Sequence, residues 1–332
     1  MKITLKKLIN HENLTKEEAK NALVKISKGE SSQSELAAFL TVFMMRTIQI
    51  EELEGFRDAL IELCIPVALE SYNPIDLCGT GGDGKNTFNI STTAALITAG
   101  AGIKVAKHGN YGVSSISGSS NVMEYLGIHF SKDLGFLEKC IATTNICILH
   151  APLFHPAMKH VASIRKELGV KTFFNMLGPM VNPALPKNQI VGVFSLELAR
   201  MYGYLYQKTT KNYCILYDLG GYDEISLTGA TKVISNSSEQ LLDAACFQVE
   251  KVSEKAIIGG KTIKDAAKIL LDILNGKGTQ AQNNVVCANA AVAIATAKQV
   301  EIKQGFEEAK ESLLSGNGAK VLRQLQNLSR NK

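Results

Sequence analysis

The stretch Ile75-Asp76-Leu77-Cys78-Gly79-Thr80-Gly81-Gly82-Asp83-Gly84, continued by Thr87-Phe88-Asn89-Ile90-Ser91-Thr92-Thr93 and an apolar run from Ala94 to Ala99, decides the fold class. An apolar segment of strand length enters a turn with glycine at 79, 81, 82 and 84, and a helical pattern leaves it. That is the strand, loop and helix unit of an α/β sheet. Glycines let backbone N–H groups approach an anion, and hydroxyls at the next helix start add donors where the dipole is positive. The segment reads as a phosphate cradle; the plainer reading is a glycine-rich turn before a capped helix. Its spacing is neither G-x-x-x-x-G-K-[ST] nor G-x-G-x-x-G, so a Walker nucleotide site and a Rossmann dinucleotide site both fit badly.

Moving outward, further short apolar runs alternate with glycine turns and helical segments at Gly102–Ala106, Ile146–Leu149, Ile190–Phe194, Tyr213–Leu216 and Lys232–Ile234. These are predicted strands, and sheets of this kind bind ligands in the loops beyond the carboxyl ends of their strands. Upstream, residues 1–70 read as helical throughout. Thr15 with Glu18 and Ser32 with Glu35 are candidate capping boxes, and Leu36, Phe39, Leu40 and Phe43 recur at helical spacing as a core stripe. The expected architecture is α/β: a small all-helical N-terminal domain plus a larger α/β domain over 71–332. Gly316-Asn317-Gly318 reads as a turn within helical sequence.

Three more clusters carry chemistry. Lys107-His108-Gly109-Asn110-Tyr111-Gly112-Val113-Ser114-Ser115 follows the second apolar run, and Ser117-Gly118-Ser119-Ser120-Asn121 follows it, a lysine, glycines and hydroxyls suited to a second anionic group. His150 and His155-Pro156 introduce a predicted helix over 156–168, with Pro at its first position. On it Met158, Ala162 and Arg165 share one face, an apolar strip ending in a guanidinium that could take a flat aromatic acid by its carboxylate. A solvated arginine on an amphipathic helix is the plainer reading. His155 and His160 are not in an H-E-x-x-H arrangement, which argues against zinc hydrolysis. Asp223 and Glu224 in Gly220-Gly221-Tyr222-Asp223-Glu224-Ile225-Ser226 are plausible Mg²⁺ ligands shared with substrate phosphates. Side chains on a regular strand alternate, so both acids serve one site only if the backbone turns here.

Composition bounds the function. With 332 residues, 45% hydrophobic and 20% charged, the chain reads as an ordinary globular protein with one large and one smaller unit. The N-terminus lacks a secretory apolar run, and no stretch suggests a membrane span. Seven cysteines without a C-x-x-C pair read as buried small hydrophobes in a reducing cytoplasm, with neither a disulfide framework nor a zinc knuckle. The net charge of +5 is spread along the chain, and the absence of Trp weakens a base-stacking surface, so no nucleic-acid partner is expected.

Taken in order, GTGGD from Gly79, NIST from Asn89, KHGN from Lys107, SS and SGSS, HPAMKHVASIRKELG from His155, FFNMLGPMVNPA from Phe173 and GYDEIS from Gly221 closely resemble the anthranilate phosphoribosyltransferases over nearly the whole chain. The resemblance implies a helical domain that also takes in helices near 160–185, and a homodimer formed through the small domains. It implies phosphoribosyl pyrophosphate on Gly79, Gly82, Asp83, Thr87, Asn89, Ile90, Ser91, Thr92, on Lys107, His108, Gly109, Asn110, Tyr111, Gly112, Val113, Ser114 and Ser115, and on Ser119. Mg²⁺ would lie on Ser91, Asp223 and Glu224, and anthranilate on Gly79, Asn110 and Arg165. Departures exist: the family often has Arg where this chain has Tyr111, and an acid where it has Asn121. No covalent nucleophile is required, and His108 is a candidate for lining the site.

Three other readings share the fold, one of them the same transfer onto a different aromatic acid. A pyrimidine nucleoside phosphorylase would bind phosphate and ribose, but Arg165 in its motif and the Asp223-Glu224 pair argue against it. A nucleic-acid-binding protein would carry a concentrated basic groove and eroded substrate motifs.

Overall fold

The structure, a computed structural model, describes residues 1–112 and 117–331. It divides into two compact units, Met1–Val67 with Ala151–Pro183, and Ala68–His150 with Ala184–Lys332.

The first unit is helical: α1 (Lys2–Ile9), α2 (Lys16–Ser27), α3 (Gln33–Met45) and α4 (Ile50–Glu62), joined later in the chain by α8 (Ala151–Phe154) and α9 (Lys159–Leu168). Both expected capping boxes form. Thr15 Oγ1 accepts from Glu18 N at 3.2 Å while Glu18 accepts from Thr15 N at 2.8 Å, and Ser32 with Glu35 does the same at 3.2 and 2.9 Å. Leu36, Phe39, Leu40 and Phe43 are buried, and the two phenylalanines meet Phe56 and Phe173, whose rings stack at 4.4 Å. The fully buried Glu52 is satisfied by Leu14 N, Gln49 N and an ion pair with Arg46, as a buried carboxylate requires.

The expectation of helix throughout residues 1–70 is corrected beyond Glu62. Pro66 has no N–H and disfavours helix at Ile65, and the backbone instead bonds across the unit, Ile65 N to Phe154 O and Val67 N to Pro183 O. The helix expected over 156–168 opens as a 3₁₀ turn, Pro156–Met158, before α9.

The second unit is built on a seven-stranded sheet in the order β3-β2-β1-β4-β5-β6-β7. Its strands are β1 (Ile75–Gly79), β2 (Val105–Gly109), β3 (Ile146–His150), β4 (Asn188–Gly192), β5 (Asn212–Asp218), β6 (Thr231–Ser235) and β7 (Glu239–Leu242). The first five are mutually parallel, β6 runs antiparallel to β5, and β7 runs antiparallel to β6. The strand expected from Gly102 starts at Val105, because Gly102 adopts φ +88° in the turn out of the preceding helix. The Ile190–Phe194 expectation shifts to Asn188–Gly192. Strand β7, with exposed Glu239, Gln240 and Leu241, offers no apolar alternation and is invisible in the sequence.

Helices α5 (Ile90–Gly100), α6 (Ser119–Tyr125), α7 (Leu134–Thr144), α10 (Leu196–Tyr206), α11 (Ile263–Leu274), α12 (Gln280–Lys298), α13 (Ile302–Leu314) and α14 (Asn317–Arg330) complete the unit. The apolar α5 packs on β1, β2 and β3, and α12 on β1, β4 and β5. Every residue of α12 from Val285 to Ala295 is buried, so its small side chains face protein on all sides. The expected Gly316–Gly318 turn is confined to Gly316, at φ +73°; Asn317 and Gly318 already belong to α14, which packs on α5 and α7. Cys140, Cys147, Cys214 and Cys287 are buried as expected, but Cys246 is exposed. Among the described residues no single helix is long and apolar enough to cross a membrane.

Candidate functional site

The chain runs from β1 outward to β2 and β3 in one direction and to β4 and β5 in the other, so the topological switch lies between β1 and β4. Beyond their carboxyl ends such sheets leave a crevice for ligands. Gly79 and Gly192 end these two strands as register partners, and Thr80 N donates to Gly192 O at 2.8 Å. A Cβ on Gly79 would overlap the Asp223 carboxylate, and one on Gly192 would overlap the Asp223 backbone carbonyl. The Asp223 backbone leaves room only for glycine at 192, a role that no motif signalled, while a side chain at 79 would displace the Asp223 carboxylate.

That loop turns, as the sequence argument demanded. Its hub is the buried Asp218 at the end of β5, whose carboxylate accepts from Gly220 N at 2.7 Å, Ser226 Oγ at 2.6 Å and Thr231 Oγ1 at 3.1 Å. Asn289 of α12 clamps the far side, its amide bonding both Ile225 N and Ile225 O at 3.0 and 2.8 Å. Held this way, Asp223 and Glu224 reach the glycine loop separately. Asp223 Oδ2 accepts from Gly81 N at 2.7 Å, and Glu224 Oε1 accepts from Ser91 N, in the first turn of α5, at 2.8 Å. Carboxylates thus occupy backbone donors of the kind that loop and helix N-terminus offer to phosphate.

Electrostatics fit a cation here. Lost hydration, with the negative charge of Asp83 close by, raises the Asp223 carboxyl well above the usual carboxylate range. Lost hydration and the charge of Asp223 do the same to Glu224. Two crowded carboxyls with the Ser91 hydroxyl form an all-oxygen donor set suited to Mg²⁺. Among the described residues no group of three or more His, Cys, Asp or Glu side chains forms a metal cluster, so an ion bound here would complete its shell with substrate oxygens and water. Burial pushes the Cys78 thiol up, so the sulfur in this strand is not a ready nucleophile.

The segment from Thr87 to Asn89 is pinned from both sides. Thr87 bridges Ile258, and Phe88 N donates to Ile257 O at 3.1 Å. Asn89 Nδ2 donates to the Ser117 carbonyl at 3.0 Å, which ties the segment after the first glycine loop to the one after β2. Ile90 and Thr92 are buried in α5, and Gly82 is buried in the loop.

In the second loop, Lys107 is 3% exposed and its ammonium donates to Leu77 O at 2.6 Å, so it lies within the sheet and not at the surface of the loop. His108 is likewise buried, its backbone N on Asp76 Oδ1 at 3.1 Å. Gly109 lies against Ser119, and Asn110 Oδ1 accepts from Tyr111 N at 2.8 Å. Both departures from the family pattern have structural partners. Tyr111 donates its hydroxyl to Glu124 at 3.2 Å and sets its ring edge on His150 at 4.7 Å, and Asn121 Oδ1 accepts from both Gly112 N and Gly118 N at 2.9 and 3.0 Å. Val113, Ser114 and Ser115 lie outside the described residues.

In the helical unit, Ala157, Val161 and Ile164 form the buried stripe of this segment. Met158 and Arg165 are half-buried and Ala162 is exposed, so the face that carries Arg165 is not the core face. The guanidinium lies 5.3 Å over the Phe174 ring and donates to Asn175 Oδ1 at 3.3 Å; burial lowers its pKa. No carboxylate among the described residues pairs with it, which leaves a partly desolvated cation suited to an anionic partner.

A glycine-rich switch-point loop beside an acidic pair, with a separate helical unit, accords with a glycosyltransferase of two-domain type. Residues 71–319 match the glycosyl transferase family α/β domain, and residues 2–64 its helical bundle domain. The chain belongs to the anthranilate phosphoribosyltransferase family. It is 66% identical over 331 residues, covering 100% of both chains, to the anthranilate phosphoribosyltransferase of Christiangramia forsetii. The yeast (Saccharomyces cerevisiae) enzyme of that name, solved in complex with phosphoribosyl pyrophosphate and Mg, matches with TM-score 0.91 at 29% identity, over 99% of this chain and 97% of that one. The same yeast enzyme in complex with 4-fluoroanthranilate matches with TM-score 0.88 at 27% identity and the same coverage.

Proposed function

We propose that this chain transfers the phosphoribosyl group of 5-phosphoribosyl 1-pyrophosphate to the amine of anthranilate, giving N-(5-phosphoribosyl)anthranilate and pyrophosphate in tryptophan biosynthesis. The observation that carries the reading is the placement of Asp223 and Glu224 at the switch point, each bonded to a backbone N–H of the phosphate loop or its helix. The family to which the chain belongs supports the same reaction.

In this reading the anthranilate nitrogen forms a bond to the ribose C1 as the C1–O bond to pyrophosphate breaks, and the amine loses one proton. Positive charge develops on C1 and negative charge on the leaving group, so positioning and donor hydrogen bonds carry the catalysis. Gly79, Gly82, Asp83, Thr87, Asn89, Ile90, Ser91 and Thr92, with the Lys107–Ser115 segment and Ser119, hold the donor. Gly79, Asn110 and Arg165 are the residues assigned to anthranilate, Arg165 to its carboxylate. Ser91, Asp223 and Glu224 would hold Mg²⁺, which supplies charge neutralisation to the departing pyrophosphate. The arylamine is a weak base unprotonated at neutral pH, so no strong general base is needed.

We also propose a homodimer formed through the helical unit. Ile3 and Ile9 of α1 and Met45 of α3, with Ile3 and Met45 at 88% and 83% exposed, are large apolar side chains that such an interface would cover. A cytoplasmic location accords with free cysteines and with a nucleotide-pathway substrate.

The test is loss of anthranilate fluorescence by purified protein with phosphoribosyl pyrophosphate and Mg²⁺. Turnover dependent on all three is expected; silence, with salt-dependent DNA binding instead, would overturn the reading.

A further inference from the structure

We propose that Lys85 is a pyrophosphate-binding residue of this chain, an ammonium standing between the glycine loop and the acidic loop to meet the leaving group. The inference deepens the reading above and rests on it for the identity of the ligand. Between Asp58 and Ile103 Lys85 is the sole lysine or arginine, and it directly follows the four-glycine turn.

Its position is fixed at both ends of the side chain. The backbone N donates to Asp83 Oδ1 at 3.0 Å, and the next residue, Asn86, accepts from Gly259 N at 2.6 Å. The ammonium lies 4.5 Å from the centroid of the Tyr222 ring, and Cε passes beside Gly221. Tyr222 immediately precedes Asp223 and Glu224, so the aromatic face that holds the cation is part of the same acidic turn.

The state of the ammonium is the second observation. Asp83, Asp223 and Glu224 are neighbours of its anchors, yet no carboxylate among the described residues lies within ion-pair distance of Lys85 Nζ. A cation resting on a ring face keeps N–H donors unspent, and a lysine ammonium has three. Lys107 of the second loop, by contrast, is enclosed by the sheet and spends one N–H on Leu77 O at 2.6 Å. Lys85 is half-buried at the end of the glycine turn and brings donors to a phosphate from that side. Negative charge on the pyrophosphate grows as its bond to C1 breaks, so an ammonium here acts more strongly on the departing group than on the bound substrate.

The experiment uses full-length protein carrying Lys85→Met or Lys85→Arg. It reads inorganic pyrophosphate binding by calorimetry with Mg²⁺, pyrophosphate product inhibition, both KM values and the melting temperature. Lys85→Met should weaken pyrophosphate about tenfold, the scale of one charge-assisted hydrogen bond. It should raise the KM for phosphoribosyl pyrophosphate in parallel, while the KM for anthranilate and the melting temperature stay near those of the unaltered protein; Lys85→Arg should restore most of the binding. Unchanged pyrophosphate affinity in an active Lys85→Met enzyme would overturn the proposal and leave the transferase reading standing. Equal loss in both variants with a lowered melting temperature would also overturn it, as packing on Tyr222 alone. Pyrophosphate binding that depends on Lys85 in a protein without anthranilate turnover would support the proposal while the acceptor assignment fell.

Discussion

Asp223 Oδ2 accepts the backbone N–H of Gly81 at 2.7 Å across 142 residues of sequence, and this bond joins the acidic loop to the glycine loop at the switch point of the sheet. Its neighbour Glu224 makes the matching bond to Ser91 N. The pair is crowded and poorly hydrated, which raises both carboxyls above the usual carboxylate range.

Replacing both acids, Asp223→Asn with Glu224→Gln, should lower Mg²⁺-dependent turnover by roughly 10² or more, the scale on which aligned electrostatic groups act. Circular dichroism should be unaltered, because the amides keep acceptors for Gly81 and Ser91. Undiminished activity at limiting Mg²⁺ would remove the metal role.

Arg165→Ala should raise the KM for anthranilate by about tenfold to a hundredfold, as loss of a charge-assisted pair does. The KM for phosphoribosyl pyrophosphate should change far less. Equal rises in both, measured by steady-state kinetics, would withdraw the guanidinium from the acceptor carboxylate.

Gly192→Ala tests the close approach behind the site. The added methyl overlaps the Asp223 carbonyl, so the acidic loop must shift, at a cost of roughly 1 to 3 kcal/mol in packing. Thermal unfolding should register that loss, and Mg²⁺-dependent activity should fall with it. A variant with native activity and melting temperature would contradict the geometry.

Stability should also depend on pH through His155. Burial depresses its pKa from 6.5 to about 4, against the opposing pull of the Val181 and Leu60 backbone. The folded state holds the ring neutral while the unfolded chain protonates it, so the full contribution is present above pH 6.5 and is lost as pH falls from there toward 4. At pH 5 the loss relative to pH 8 is about 2 kcal/mol. Denaturant titrations of His155→Gln should show a shallower decline over this window; an identical slope would assign the effect elsewhere.

In the helical unit, Phe173→Ala should cost about 3 to 5 kcal/mol, because Phe173 stacks on Phe56 and meets Phe39 and Phe43 edge-on. Unfolding monitored by denaturant would read it directly.

Where chemistry is local, the sequence by itself determined the outcome. The capping boxes at Thr15 and Ser32, the stripe from Leu36 to Phe43 and the strand entering Gly79 follow from hydrogen-bonding and burial rules that act over a few residues. The Asp223-Glu224 pair was legible as a metal candidate, but the turn that lets both acids serve one site depends on Asp218 and on Asn289, which lies 64 residues beyond Ile225. Gly192 carried no motif at all, because its need arises only from the Asp223 backbone pressed against it. The enclosure of Lys107, with its ammonium on Leu77 O, could not be read from its motif, since strand pairing, unknown from the sequence, decides which side chains the sheet encloses. Local pattern fixed the kinds of groups present; the order of strands about β1 and β4 decided which of them meet, because contacts across a sheet are set by register and not by separation along the chain.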